Sequence, residues 1–322
     1  MTLYITYDNE SLQDGLGAQS LRITGVYAIA KFFGLRYLHS PIKAAIEDIS
    51  HGRSNSSSNS GLINFFNTFF AFPSLWPTPH KSRIIFVRSL SARYLLISLL
   101  RYKFSSENVV LKVLLPMPVL DKFPVIYFLA TRQIRKINQN TLKSHRSLAL
   151  VAHVRRGYDE KYANTKYATA RHLPFSYFTD ALKIASKQFH IAKNSGLVIH
   201  TDLVNKTTIW KPNQEGIMEG YRTNSGKSFA KSIELEGYDL NQEIEAPQEY
   251  VMQVHYCDNL DNTFLDMCTA DVLLQGRSAL SYLAGIININ SVVWPENQTH
   301  AKLPRWYSSS DLGINLRDEM LG

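Results

Sequence analysis

Cysteine is nearly missing from this chain of 322 residues, where Cys257 and Cys268 are the only two. Two thiols make neither a disulfide framework nor a four-ligand zinc site, so they read as buried free thiols in a reducing compartment. Long hydrophobic runs are missing too, and no segment approaches the roughly 20 apolar residues that span a bilayer. Basic residues outnumber acidic ones, 35 to 27, for a formal charge of +8, yet they form no block. The charge implies an anionic partner without choosing among phosphorylated small molecules, nucleic acid and an acidic membrane surface. The lack of a concentrated basic stripe weakens the nucleic-acid reading. With 45% hydrophobic and 19% charged residues, the composition is that of an ordinary globular protein.

What the chain does contain is alternation. Strand-like and helix-like stretches succeed one another, the pattern of parallel sheets with crossover helices. Thr2–Tyr7 reads as a strand, not as a signal peptide. A helix follows to Phe33, with Gly34 as its stop. Further strands are expected at Leu35–His39, Arg83–Val87 and Val109–Leu115, with helices over 92–101 and 125–138. His51–Gly61 reads as a polar loop. The aromatic-rich Leu62–Trp76 reads as a loop folded back on the core, with peripheral membrane contact as its alternative. Asn138–Ser147 reads as a linker. Beyond it come strands at Leu148–Val154, Gly196–Asp202, Tyr250–Tyr256, Asp271–Gly276 and Ser291–Pro295. Helices fall after Pro174, over 264–269 and over 278–287. The expected architecture is α/β, with one unit over residues 1–145 and a second over 146–322.

Three segments fall at strand ends that lead into helices or loops, where open α/β sheets gather ligands. Gly15-Leu16-Gly17 follows the first strand and could bring backbone N–H groups and a helix terminus to an anion. It is not a G-x-G-x-x-G fingerprint, and an ordinary turn is its alternative. His153-Val154-Arg155-Arg156-Gly157 ends an apolar run, and adjacent guanidinium forks suit a diphosphate, although a solvated strand end would read the same way. Gln275-Gly276-Arg277-Ser278 joins a strand to a helix that Ser278 can cap while also donating its hydroxyl to a phosphate. Two other patterns fail. Thr223–Ser228 resembles the end of a phosphate-binding loop, but Tyr221 occupies the place of the required glycine. His255, Cys257 and Cys268 have no spacing that fits a metal site. No Asp-x-Asp pair is present to hold a divalent metal on a nucleotide sugar.

Taken together, His153-Val-Arg155-Arg156, the early Gly15-Leu-Gly17-Ala-Gln and the distal stretch Asp261–Gly285 resemble the motifs of the inverting fucosyltransferase superfamily. That superfamily includes the α1,2-, α1,6- and protein O-fucosyltransferases. The resemblance consists of three short blocks in matching order. It implies a GT-B-like fold, with two Rossmann-like domains facing a central cleft, and transfer of L-fucose from GDP-β-L-fucose to a glycan hydroxyl. No divalent metal or other cofactor is implied. By resemblance, Arg155 and Arg156 stabilise the leaving diphosphate and His153 lies beside the nucleotide. Gly15 and Gly17 line the phosphates, Ser278 and Arg277 belong to the distal phosphate loop, and Asp261 accepts from guanine. Asp159 and Asp14 are the candidate bases. The chain departs from the pattern at Ala18, where asparagine is common, and at Arg277-Ser278-Ala279, where paired serines are common. These departures leave another nucleotide sugar, or a non-catalytic glycan- or phosphate-binding module, as alternatives. Without a membrane anchor, a cytoplasmic location is expected.

Overall fold

The computed structural model describes residues 2–10, 15–43, 56–74, 79, 81–103, 107–155, 173–193, 195–201, 240–256, 259–296 and 298–314. Chain contacts divide it into two units. The first comprises Met1–Ile46, Ser60–Thr141 and His300–Pro304, and the second Glu47–Asn59, Leu142–Thr299 and Arg305–Gly322.

The first unit is built on four parallel strands, β1 (Leu3–Tyr7), β2 (Arg36–Tyr37), β3 (Arg83–Ser89) and β4 (Val109–Leu115), in the order β2-β1-β4-β3. Helix α1 (Leu16–Phe33) runs from β1 to β2 and is buried along most of its length. It stops at Gly34, whose φ of 66° is a left-handed conformation that most side chains avoid. Helix α2 spans Ser56–Phe69 and α3 spans Ala92–Lys103. The short α4 (Met117–Leu120) precedes α5 (Tyr127–Ile137), which packs on α1.

One expectation changes here. The stretch read as a polar loop running into an aromatic loop is largely helix α2. Its Phe66 and Phe69, with Phe70 and Phe72 beyond its end, are almost fully buried. The serine and asparagine run masked the helix, because tertiary burial of the phenylalanines outweighs local preference. The stretch read as a linker contains the division between the units, at Thr141 and Leu142, and is helical over α6 (Gln139–Ser144). Asn138 before it is buried, and its side-chain amide donates to the Phe69 and Ile134 carbonyls at 2.7 and 2.9 Å.

The second unit carries six parallel strands: β5 (Leu150–Val154), β6 (Gly196–Thr201), β7 (Val251–Tyr256), β8 (Val272–Leu274), β9 (Ser291–Trp294) and β10 (Tyr307–Ser308). Their order is β10-β9-β8-β5-β6-β7. The chain moves outward from β5 through β6 to β7, returns to β8 on the other side of β5, and then moves outward to β10. This is the doubly wound order of a Rossmann sheet, with the reversal between β5 and β8. Both faces are covered, as parallel sheets require. Leu150, Ala152 and Val154 of β5 and Leu197 and Ile199 of β6 pack with Tyr177, Phe178 and Leu182 of α7 (Phe175–Gln188). The alternate residues, among them Val151, Val198 and Leu273, face the other side. There α9 (Leu260–Thr269) and α10 (Ala279–Ile287) pack against one another. A four-residue α8 (Leu240–Glu243) precedes β7. The fold class is therefore α/β with parallel sheets, as expected from the alternation. Among the described residues, no helix is long and apolar enough to cross a membrane.

Candidate functional site

The reversal between β5 and β8 is where the second unit presents the ends of two adjacent strands. Strand β5 runs Leu-Val-Ala-His-Val and is buried throughout. It ends at Val154, so Arg155 is the first residue beyond the ladder, half-buried, and His153 is the last but one, 5% exposed. His153 shares a face with Val151, whereas Val154 turns toward α7.

Strand β8 stops at Leu274, and Gln275-Gly276-Arg277-Ser278 turns the chain into α10. Gly276 lies against β5: a Cβ there would meet the His153 carbonyl oxygen at 2.3 Å and His153 Nδ1 at 3.5 Å. Only a residue without a side chain lets the turn come this close, and the approach joins the histidine segment to the serine turn. Ser278 is the cap of α10. Its hydroxyl oxygen accepts from Leu280 N at 3.1 Å and Ser281 N at 3.4 Å. Both bonds use lone pairs, so the hydroxyl proton remains to be donated elsewhere. Ser281 bridges the turn by donating to the Gly276 carbonyl at 2.8 Å.

Arg277 is anchored by the backbone beyond β9. Its Nη2 donates to the Glu296 carbonyl at 2.9 Å, and its side chain is buried. Burial lowers its pKa from the ordinary arginine value, an effect that the Tyr177 side chain opposes. Burial pushes the Tyr177 phenol up in turn, and no hydrogen bond satisfies its hydroxyl among the described residues. Asp261 sits in the first turn of α9, where a carboxylate suits the helix dipole, and its Oδ1 accepts from Asn262 N. The helix starts at Leu260, four residues earlier than expected.

In the first unit, Gly15 is the cap position of α1, with φ −61° and ψ 155°, and Gly17 already belongs to the helix. The expected glycine turn is thus one cap residue and one helical residue. Arg156, Gly157, Asp159 and Asp14 lie outside the described residues.

A further polar group lies beside β5 that the motifs did not reveal. His153 is in register with His200 of β6, and His200 with His255 of β7, so three histidines share one level near the carboxyl ends of adjacent strands. The His200 and His255 rings meet edge to face at 5.0 Å. Buried His200 donates through Nε2 to Asp266 Oδ2 at 2.9 Å, and its Nδ1 lies 3.3 Å from the Thr263 hydroxyl. His145 donates to the other oxygen of Asp266 at 2.6 Å. Burial raises the Asp266 pKa, but the bonds from His200 and His145 outweigh it and hold the carboxylate below its ordinary value. One carboxylate thus ties α9 to β6 and to the end of α6. A histidine before the end of a strand followed by an aspartate, His200-Thr-Asp202, was the available hint in the sequence. The partner Asp266 is remote in sequence and visible only in the fold. Among the described residues no cluster of histidine, cysteine, aspartate and glutamate could hold a metal ion. Cys268 is buried, and Cys257 lies outside the described residues.

No protein-family model matches the chain, and no curated protein matches it. Solved structures of similar outline include POFUT1 in complex with GDP, 11% identical, covering 95% of this chain and 97% of that chain with a TM-score of 0.40. A variant of Arabidopsis thaliana FUT1 in complex with GDP is 9% identical, covers 93% of this chain and 72% of that chain, and has a TM-score of 0.40. The E. coli heptosyltransferase WaaC with ADP is 10% identical, over 98% of this chain and 96% of that chain, with a TM-score of 0.39. At that degree of likeness, the functional reading rests on this chain's own residues.

Proposed function

We propose that the protein is a metal-independent, inverting glycosyltransferase of GT-B type that takes a nucleotide-sugar donor, GDP-β-L-fucose, and a hydroxyl of a glycan acceptor. The observation that supports this most is the place of two of the three motifs. The His153–Arg155 segment and the Gly276–Ser278 turn end adjacent strands where the strand order reverses, the position at which doubly wound sheets bind nucleotides.

The chemistry follows from the residue types. The bond between the sugar C1 and the β-phosphate oxygen breaks, and its electron pair leaves with the diphosphate. Arg155 and Arg156 stabilise that charge through forked, charge-assisted hydrogen bonds, work that a metal does in other transfer enzymes. Ser278 donates its remaining proton to a phosphate oxygen, and the amino terminus of α10 adds partial positive charge. The acceptor oxygen forms the new bond to C1 from the opposite face, and its proton passes to a carboxylate, Asp159 or Asp14. By resemblance, Gly15 and Gly17 serve the phosphates and Asp261 accepts hydrogen bonds from guanine. The Arg277-Ser278-Ala279 turn, with Arg277 committed to the Glu296 carbonyl, favours as second reading the same reaction with a different nucleotide sugar.

The test is a thermal-shift and calorimetric screen of GDP, UDP, CDP and ADP without metal, followed by transfer assays with the matching sugar in EDTA. GDP alone should shift the melting temperature. Arg156→Ala should leave melting unchanged while lowering transfer by about 10²–10³-fold. Near-wild-type transfer by that variant would overturn its role. Loss of transfer in EDTA that Mn²⁺ restores would overturn the metal-independent reaction, and a shift with a different nucleotide would replace fucose.

A further inference from the structure

Helix α3 turns one stripe into its unit and a second, equally apolar stripe outward. Leu95, Ser98 and Tyr102 are buried, spaced by three and four residues. Leu96, Ile97 and Leu100 are 58%, 50% and 60% exposed and share the opposite side of the helix. Exposed Arg93 and Arg101 bracket this outer stripe, and Tyr94 is exposed beside it. The surrounding sequence is of one sign: Lys81 to Lys103 contains six lysines and arginines and no aspartate or glutamate. The outer stripe of α3 therefore combines exposed apolar side chains with flanking arginines and no acidic residue in the same stretch of chain, and none of the described residues buries it.

We propose that α3 is a docking face for an anionic membrane surface. The helix lies in the headgroup plane, with Leu96, Ile97 and Leu100 entering the boundary of the acyl region. Arg93 and Arg101 reach lipid phosphates on either side. The Tyr94 ring has the apolar body and polar tip suited to that level. A second copy of the chain fits less well, because a two-fold contact through this stripe would set arginines of one copy against arginines of the other. The inference is independent of the sugar-transfer reading, since none of these residues belongs to that site.

The experiment is co-sedimentation of the full chain with vesicles of phosphatidylcholine, alone or mixed with phosphatidylglycerol. Binding should be confined to the anionic vesicles and should weaken as salt screens the arginines. Leu96→Ser with Leu100→Ser should lower partitioning at least tenfold without changing the melting temperature, because both positions are exposed. Arg93→Gln and Arg101→Gln should each lower it about fivefold. Absence of binding to anionic vesicles, or undiminished binding by the serine variant, overturns the proposal. A dimer in solution that the serine variant dissociates overturns it in favour of self-association, and equal binding to neutral vesicles overturns the role of the charge.

Discussion

Two glycines of this protein stand between a strand and a helix and look alike in sequence, but their surroundings differ. Gly276, between β8 and α10, lies so close to the His153 carbonyl that even a methyl group would collide with backbone. Gly15, between β1 and α1, has none of the described residues within 4 Å of where a Cβ would be, and its φ of −61° is open to any residue. The first glycine is demanded by packing inside the protein. At Gly15 the described residues make no such demand, and its expected place beside the donor phosphates is open to test by substitution. The contrast separates a glycine fixed by close packing from one that the described packing does not require.

Substitution should sharpen that contrast. Gly276→Ala is expected to destabilise by about 3 kcal/mol, the upper end for overpacking, because the obstacle is a carbonyl in a sheet and not a flexible side chain. Urea denaturation measures it, and a loss below about 1 kcal/mol would mean that the turn can withdraw from β5.

Asp266→Ala comes next, at about 2 kcal/mol, since it leaves the His200 ring buried without its acceptor. Its acid dependence has a defined sign. The folded carboxylate titrates below its ordinary value of 3.8, so its contribution is complete above that pH and disappears as pH falls through the lowered folded value. Asp266→Asn should therefore flatten the acid arm of the stability curve below about pH 4 and leave its neutral shape unchanged. An acid arm identical to wild type would show that the carboxylate does not set it.

Ser278→Ala should cost about 1 kcal/mol through loss of the α10 cap. If the hydroxyl also serves the donor, nucleotide affinity falls by more than the loss of stability accounts for, which calorimetry on the folded variant detects. Gly15→Ala has the smallest effect on folding, under about 1 kcal/mol for a poorer cap residue, yet should weaken nucleotide binding. A stability loss matching that of Gly276→Ala would erase the difference between the two turns, whereas unchanged affinity would remove Gly15 from the site.

The extent to which the sequence revealed these features follows from the range of the forces involved. Strands β4, β5 and β9 are short apolar runs, and α1, α3, α5 and α7 have helical spacing, so their positions could be read locally. Helix α2 could not, because its first turns are serine and asparagine and it is fixed by Phe66 and Phe69 packing into the unit. The same holds for α6, which begins beside an asparagine whose amide bonds reach back to Phe69, 69 positions earlier. Of the candidate site, the histidine, arginine and serine positions were legible as residue types at strand ends. Nothing local indicated the bond from Arg277 to the Glu296 carbonyl, because it joins the turn after β8 to the residues after β9.

The sequence by itself determined that this is an α/β chain with parallel strands, and it located the histidine–arginine end of β5 and the serine turn after β8, because periodicity and turn chemistry act over a few residues. Tertiary structure alone decided that β5 and β8 are neighbours at the reversal of strand order. It also decided that Gly276 touches His153 and that Asp266 joins His145 to His200. Those pairings span tens to more than a hundred residues of chain, and they exist only once the sheet has brought distant segments to one edge.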